Sequence, residues 1–265
     1  MDPARKKVIA ALGIFGALGL IVAFITLLWK AERRNEVCQG IQVTIQDSVS
    51  IGFVTEADVL GYLGGAYGTL QAVPVDSINL AAVEHRLNEG RGILNSEVYL
   101  TPDGILHADI RQRSPIVRLQ TPQGAFYCDG EGYLMPVSPR FITRVQVVSG
   151  EISLPVSGGF CGFLEEGPER DYLASLLELL RYVDRTPLWR ENIGQIFVEK
   201  GGELVLILRQ RKEHFLFGQP GGYEAKLRRI ADYLSRVAPM RELSGEAPYK
   251  SVNVQYKGQI ICKNK

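Results

Sequence analysis

Between Lys7 and Lys30 the sequence carries no charged side chain at all, and this run, VIAALGIFGALGLIVAFITLLW from Val8 to Trp29, constrains the chain more than anything after it. At roughly 1.5 Å per residue a helix of that length is about as long as a bilayer core is thick, so a single membrane span over 8–29 is expected. Trp29 stands where an interfacial aromatic belongs, and Lys30, Arg33 and Arg34 come directly after it. Arg5, Lys6 and Lys7 also suit a cleavable leader. The apolar run is too long for one, however, and no small-x-small site precedes AERRNEV. An uncleaved anchor is therefore predicted, with a short tail, 1–7, on the cytoplasmic side and the long remainder translocated. Gly13 with Ala17 and Gly19 with Ala23 have the spacing of helix-association motifs, but small residues are common in spans and an ordinary lipid-facing helix is expected.

The remainder is long enough for two modest domains. Thirty basic residues against twenty-nine acidic ones leave a formal charge of +1, which gives no field for gathering nucleic acid. Cys38, Cys128, Cys161 and Cys262 are an even set that permits two disulfides in an oxidising compartment. Their spacing assigns no pairing, and buried thiols are the equal alternative.

Periodicity divides the chain beyond the span. Ile41, Val43 and Ile45 alternate as a strand. Thr55 and Asp58 can form a capping box for a helix carrying Val59, Leu60 and Leu63, with Gly64 and Gly65 expected to stop it. A second helix should start near Asn79 and turn Leu80, Val83 and Leu87 to one side. Two alternating runs then meet at Pro102-Asp103-Gly104, a hairpin turn. The order strand, helix, helix, strand, strand is that of a small α+β unit, here 37–113.

Pro115 interrupts the pattern and opens a strand-rich second domain, 114–265, with the runs IVRLQT, AFYCD, YLMPV and RVQVVSGEI. A helix is predicted from about Pro168 to Val183, with Leu173, Leu176, Leu177 and Leu180 inward. A hairpin should turn at Gly201-Gly202, with a short strand after it at HFLFG. A further helix has Tyr223, Leu227, Ile230, Leu234 and Val237 on one face. The chain closes on KSVNVQYKGQIICKNK, read as one strand in which Val252, Val254 and Tyr256 alternate with polar residues. A strand in that position either lies inside a sheet or offers an unpaired border. Lys250, Lys257, Lys263 and Lys265 are charges of the kind that guard such a border.

Chemistry is hard to find. His85, His107 and His214 have no partner at metal-ligand or relay spacing, and H-E-x-x-H, G-x-S-x-G, S-x-x-K and G-x-x-x-x-G-K are absent. GYLGGAYG and SGGFCGF read as turns rather than phosphate loops. An anchored envelope hydrolase or thiol enzyme would have to use Cys161, or the carboxylates Glu165, Glu166 and Asp171. These fit packing and a helix N-terminal charge cluster better. Phe53, Tyr62, Tyr67 and Tyr99 fit a core better than a surface platform.

The ordered set of segments resembles the bacterial cell-division family FtsQ/DivIB. NLAAVEHRLNEGRGILNSEVYLTPDGILHADIRQRSPIVRL is similar to the second half of that family's POTRA domain, with its Arg113-Ser114-Pro115 exit. FYCDGEGYLMP is similar to the hairpin that opens its β domain, HFLFGQPGGYEAKL to its strand-then-helix segment, and VNVQYKGQIICK to its closing strand. Lys257-Gly258-Gln259 and Cys262 look most like members from Bacteroidetes. The chain departs from the Asp and Arg that many members carry within Val252–Tyr256.

The resemblance implies a non-enzymatic, single-pass scaffold of the inner membrane, with its folded part in the periplasm, working at the septum without a cofactor. It also implies FtsB-like and FtsL-like partners, received by strand addition at the closing border, where Tyr256, Lys257, Gln259, Ile260 and Ile261 would pair and Lys226 and Arg229 would flank. The POTRA-like unit, from Cys38 to about Arg113, is implied as a second docking surface for other division proteins. A POTRA-bearing outer-membrane assembly component is disfavoured, because the sequence has no succession of amphipathic strands that would build a barrel.

Overall fold

The computed structural model describes residues 18–26, 37–46, 52–67, 70, 73–137 and 143–264. Residues 18–26 form a helix, α1, with Leu18, Leu20, Ile21, Val22, Phe24 and Ile25 exposed. Most of the expected span 8–29, and all of the tail 1–7, lie outside the described residues. No helix among the described residues is long and apolar enough to cross a membrane. The folded part forms two compact units that divide at Gln112 and Arg113, with Phe53 belonging to the second.

In the first unit β1 (Gly40–Gln46), α2 (Glu56–Tyr67), α3 (Leu80–Asn88), β2 (Ile93–Leu100) and β3 (Ile105–Gln112) build a three-stranded sheet of order β1-β3-β2. β1 runs parallel to β3, and β2 runs antiparallel to it. The capping box forms: the Thr55 amide donates to Asp58 Oδ2 at 3.0 Å, and the Asp58 amide donates to Thr55 Oγ1 at 3.2 Å. Asn79 Oδ1 caps α3 by accepting from the Ala82 amide. Val59, Leu63, Val83 and Leu87 are buried, as are Val98, Leu106, Ala108 and Ile110 of the sheet.

Three expectations for this unit need correction. α2 runs on through Gly64 and Gly65 to Tyr67, because glycine lowers helix propensity without forbidding the conformation. Leu60 is exposed rather than inward. Tyr99 is 44% exposed and stacks on His107 with ring centroids 4.9 Å apart, since alternation along β2 turns it away from the core.

The second unit is a nine-stranded sheet of order β12-β11-β10-β9-β8-β7-β4-β5-β6. Its strands are β4 (Pro115–Thr121), β5 (Gly124–Asp129), β6 (Leu134–Pro136), β7 (Gln146–Gly150), β8 (Ile193–Val198), β9 (Leu204–Leu208), β10 (His214–Gly218), β11 (Ser251–Asn253) and β12 (Ile261–Lys263). β4, β5 and β6 form one antiparallel meander, and β8, β9 and β10 form another. β7 joins the two, running parallel to both β4 and β8.

One apolar core unites this sheet with α4 (Pro168–Arg185), α5 (Pro187–Asn192) and α6 (Tyr223–Asp232). Leu173, Leu176, Leu177, Leu179, Leu180 and Val183 form the buried stripe of α4. Alternation in β5 sends Phe126 and Cys128 into that core, and Tyr127 to a smaller cluster with Met135, Phe53 and Cys161.

The last helical face does not continue as one helix. α6 passes into a π-helical turn, Tyr233–Val237, and then into α7 (Ala238–Leu243). Pro239 explains the widening: it has no amide to donate, and its ring would clash with the carbonyl four residues back in a regular helix. The closing segment is likewise two strands rather than one. β11 is parallel to β10, and the chain then reverses so that β12 lies antiparallel to β11.

Candidate functional site

Sheet borders are where this scaffold either closes itself or stays open. On the β2 border of the first unit, the Val98 amide donates to Glu84 Oε1 of α3 at 2.8 Å, which blunts that border. At the β6 end of the large sheet, Leu134 exchanges both backbone bonds with Gly162, amide to carbonyl, at 2.8 and 3.0 Å. The other end differs. β12 pairs with β11, and its outer flank has no backbone partner among the described residues.

The reversal that creates this end lies at Tyr256, Lys257, Gly258 and Gln259, all exposed. Gly258 holds φ at +76°, a conformation that a side chain would disfavour. Beyond it, Ile260 and Cys262 pack against the core, while Ile261 stays 47% exposed. The hairpin is tied down from two sides. Arg229 of α6 donates from Nε and Nη2 to the Val254 carbonyl, at 2.9 and 2.7 Å. Arg241 of α7 pairs with Glu246 at 2.7 Å, donates to Asn264 Oδ1 at 2.9 Å, and lies 3.8 Å over the Tyr249 ring.

A cleft of about 480 Å³ opens between α6 and the turn, lined by Ala225, Arg228, Arg229 and Asp232 on one wall and Gly258, Gln259 and Ile260 on the other. Of the residues singled out in sequence, Arg229, Gln259 and Ile260 meet in this cleft, and Ile261 begins the adjoining strand. Tyr256 and Lys257 sit on the turn. Lys226 lies apart: its Nζ donates to the Gln219 carbonyl at 2.6 Å and stands 5.0 Å over the Phe217 ring. Burial, and then the neighbouring Arg229 charge, lower its pKa. Ala225, Arg228 and Asp232 were not singled out, although Arg228, Arg229 and Asp232 follow Ala225 by three, four and seven residues, the spacing of one helix face.

Below the hairpin, buried Glu213 accepts from the Tyr233 hydroxyl at 2.9 Å. Burial first, and then this carboxylate, push the Tyr233 phenol up. The proximity of Arg211 Nε to Glu213, 3.9 Å, supplies the compensating charge.

The residues an enzyme would need do not converge. Cys161 has a tyrosine beside it rather than a base: the Tyr133 hydroxyl is 3.5 Å from its sulfur. Burial, and then the Cys161 contact, raise that phenol to about 12, so it is a poor base at neutral pH. Glu165, Glu166 and Asp171 are exposed around the start of α4. The described residues include no group of three or more His, Cys, Asp or Glu side chains able to hold a metal ion. All four cysteines are free, Cys38 and Cys128 being buried.

A family model described as FtsQ/DivIB, C-terminal related, matches residues 114–263. The chain belongs to the FtsQ/DivIB family. A POTRA-like domain model matches residues 36–111, the portion that folds as the three-stranded unit. No curated protein matches the chain significantly. FtsQ/DivIB membership makes it a division-family protein in which an α+β POTRA-like unit precedes a strand-rich one. The family's role is that of a membrane-associated cell-division scaffold.

Proposed function

We propose that this chain is a membrane-anchored, non-enzymatic scaffold of the division complex that receives an FtsB-like partner, accompanied by an FtsL-like one, as an added strand along β12. The observation that carries the reading is the outer flank of β12: the end strand of the large sheet, with no backbone partner among the described residues, whereas the opposite end of the same sheet, β6, is bonded to Gly162. An incoming strand would find backbone donors and acceptors there, with Ile261 and Tyr256 as exposed apolar contacts. The cleft beside α6 would take side chains that reach past the border.

The uncharged run 8–29 supplies the anchor in this reading, the folded units lie in the periplasm, and binding at the septum helps coordinate peptidoglycan synthesis. The POTRA-like unit would serve as a separate docking surface.

Ile260 lies just ahead of β12, so a proline there disturbs the incoming strand more than the β11–β12 ladder. Purified Ile260→Pro protein is expected to keep its circular-dichroism spectrum and a cooperative unfolding transition, at a melting temperature lowered by the lost core contact of Ile260, while losing capture of the FtsB-like partner. Unchanged capture by a folded variant would refute the assignment.

A further inference from the structure

The parallel ladder between β7 and β8 is incomplete. It runs from Val148 opposite Ile196 to Gly150 opposite Val198 and stops there. Toward their N-terminal ends the strands part: Gln146 of β7 pairs with Val117 of β4, whereas Ile193 of β8 pairs with Leu208 of β9. At the closed end of the fork the Gln195 side chain donates to Ser149 Oγ at 2.8 Å. The open end forms a cleft of about 820 Å³.

Three arginines line this cleft: Arg144 ahead of β7, Arg190 in α5 and Arg209 after β9. None of them has an ion-pair partner among the described residues. Asp184 is the one carboxylate in the lining, so positive charge is in excess. The Arg209 stem is placed by its surroundings. A Cβ added at Gly194 would come within 3.2 Å of Arg209 Cγ, and the Arg209 amide donates to the Asn192 carbonyl at 2.8 Å. Apolar groups, Ile116, Val147, Leu180 and Val183, complete the walls.

We propose that this fork is a second docking site, which takes an extended acidic segment of a partner protein. Guanidinium groups recognise carboxylates through paired, charge-assisted hydrogen bonds. At this open end, before Val148 and Ile196, the facing sides of β7 and β8 are not paired with each other and suit a peptide backbone, while the apolar wall suits alternate side chains. The volume is that of a groove for several residues, larger than a single oxyanion requires. β8 stands four strands from β12, so at about 4.8 Å per strand the fork lies roughly 20 Å from the border proposed for strand addition. The two sites can therefore be occupied together.

The test is fluorescence anisotropy of the full chain, in detergent micelles, with a fluorescein-labelled peptide of alternating Glu and Val and a matched Gln–Val peptide. The Glu–Val peptide should bind at least tenfold more tightly than the Gln–Val peptide, less so as salt is added. Arg144→Ala/Arg190→Ala/Arg209→Ala should lose that preference. Asp184→Asn should bind the Glu–Val peptide more tightly than the unaltered chain, a gain that a damaged fold would not produce. Ile260→Pro should leave this binding unchanged. Equal binding of both peptides, or indifference to the arginine and Asp184 substitutions, would overturn the proposal. So would full displacement by equimolar inorganic phosphate, or an equal arginine-dependent affinity for anionic lipid vesicles.

Discussion

Arg113 Nη1 lies 2.5 Å from Asp129 Oδ2, and the two side chains are only 10% and 6% exposed. The pair is held from all sides. Asp129 Oδ1 accepts from the Glu131 and Tyr133 amides at 2.9 Å each, and the guanidinium lies 3.9 Å over the Tyr133 ring. Arg113 Nε has no partner, so the desolvation of this cation is only partly offset. Arg113 Nη1 also lies 3.2 Å from Glu131 Oε2, an exposed carboxylate, whereas removing Arg113 leaves the Asp129 charge in a dry site with only its backbone bonds.

Arg113→Ala is accordingly expected to destabilise the second unit by about 3–5 kcal/mol. Arg113→Met combined with Asp129→Asn should cost less than Arg113→Met alone, because the amide oxygen still accepts the two backbone bonds without an unpaired charge. Urea unfolding followed by fluorescence of buried Trp189, in a Trp29→Phe background, measures both. A double variant no more stable than the single one would contradict the account.

Arg229 reaches the Val254 carbonyl with two donors, and thereby holds the turn that leads into β12. Arg229→Ala should leave the core intact while loosening the hairpin locally. Bonds from charged donors contribute about 1.5–3 kcal/mol, so amides across 254–260 should exchange with solvent roughly ten- to a hundredfold faster. Hydrogen exchange read by mass spectrometry tests this, with β8 and β9 as the unchanged reference. Equal protection in variant and parent would show that the guanidinium does not hold the turn.

Alkaline stability depends on the buried phenols. Burial raises Tyr172 to about 12, and Tyr133 is raised to about 12 by burial and the Cys161 contact. A phenol whose pKa rises on folding keeps its proton in the native state after the unfolded chain has lost it. Its stabilisation is therefore complete below about pH 10 and is lost as pH climbs toward 12. Tyr172→Phe removes the Tyr172 share of that slope, and also the 3.0 Å bond to the Gly202 carbonyl, which costs about 1 kcal/mol at pH 7. Denaturation midpoints at pH 8, 10 and 11 should fall less steeply for the variant than for the parent. Parallel curves would remove Tyr172 from the explanation.

Local chemistry was the legible part of this fold. The Thr55–Asp58 box, the Asn79 cap and the α4 leucine stripe each depend on neighbours within a few residues, and each is found where spacing puts it. The turn at Gly258 was hidden because Ile260 and Ile261 prolong the apolar signal across it, and alternation alone does not register a change of direction. The π-helical turn was not read from the sequence, because the apolar face from Tyr223 to Val237 keeps its helical spacing through it. The partners of β7 were out of reach, because strand pairing is set by residues far apart in sequence. Of the cleft beside α6, the arginine was visible as a charge, but its acceptor, a carbonyl twenty-five residues onward, was not.

The place of β7 between two meanders has a consequence for assembly in time. Each meander forms from adjacent segments, whereas β7 must find one partner on each side by parallel registration across long intervening stretches. Such non-local closure is slow, so refolding of the second unit should wait on the arrival of this one strand. Until then two half-sheets stand apart, each with a raw hydrophobic seam, and it is during that interval that the protein is most exposed to clumping and most in need of a chaperone.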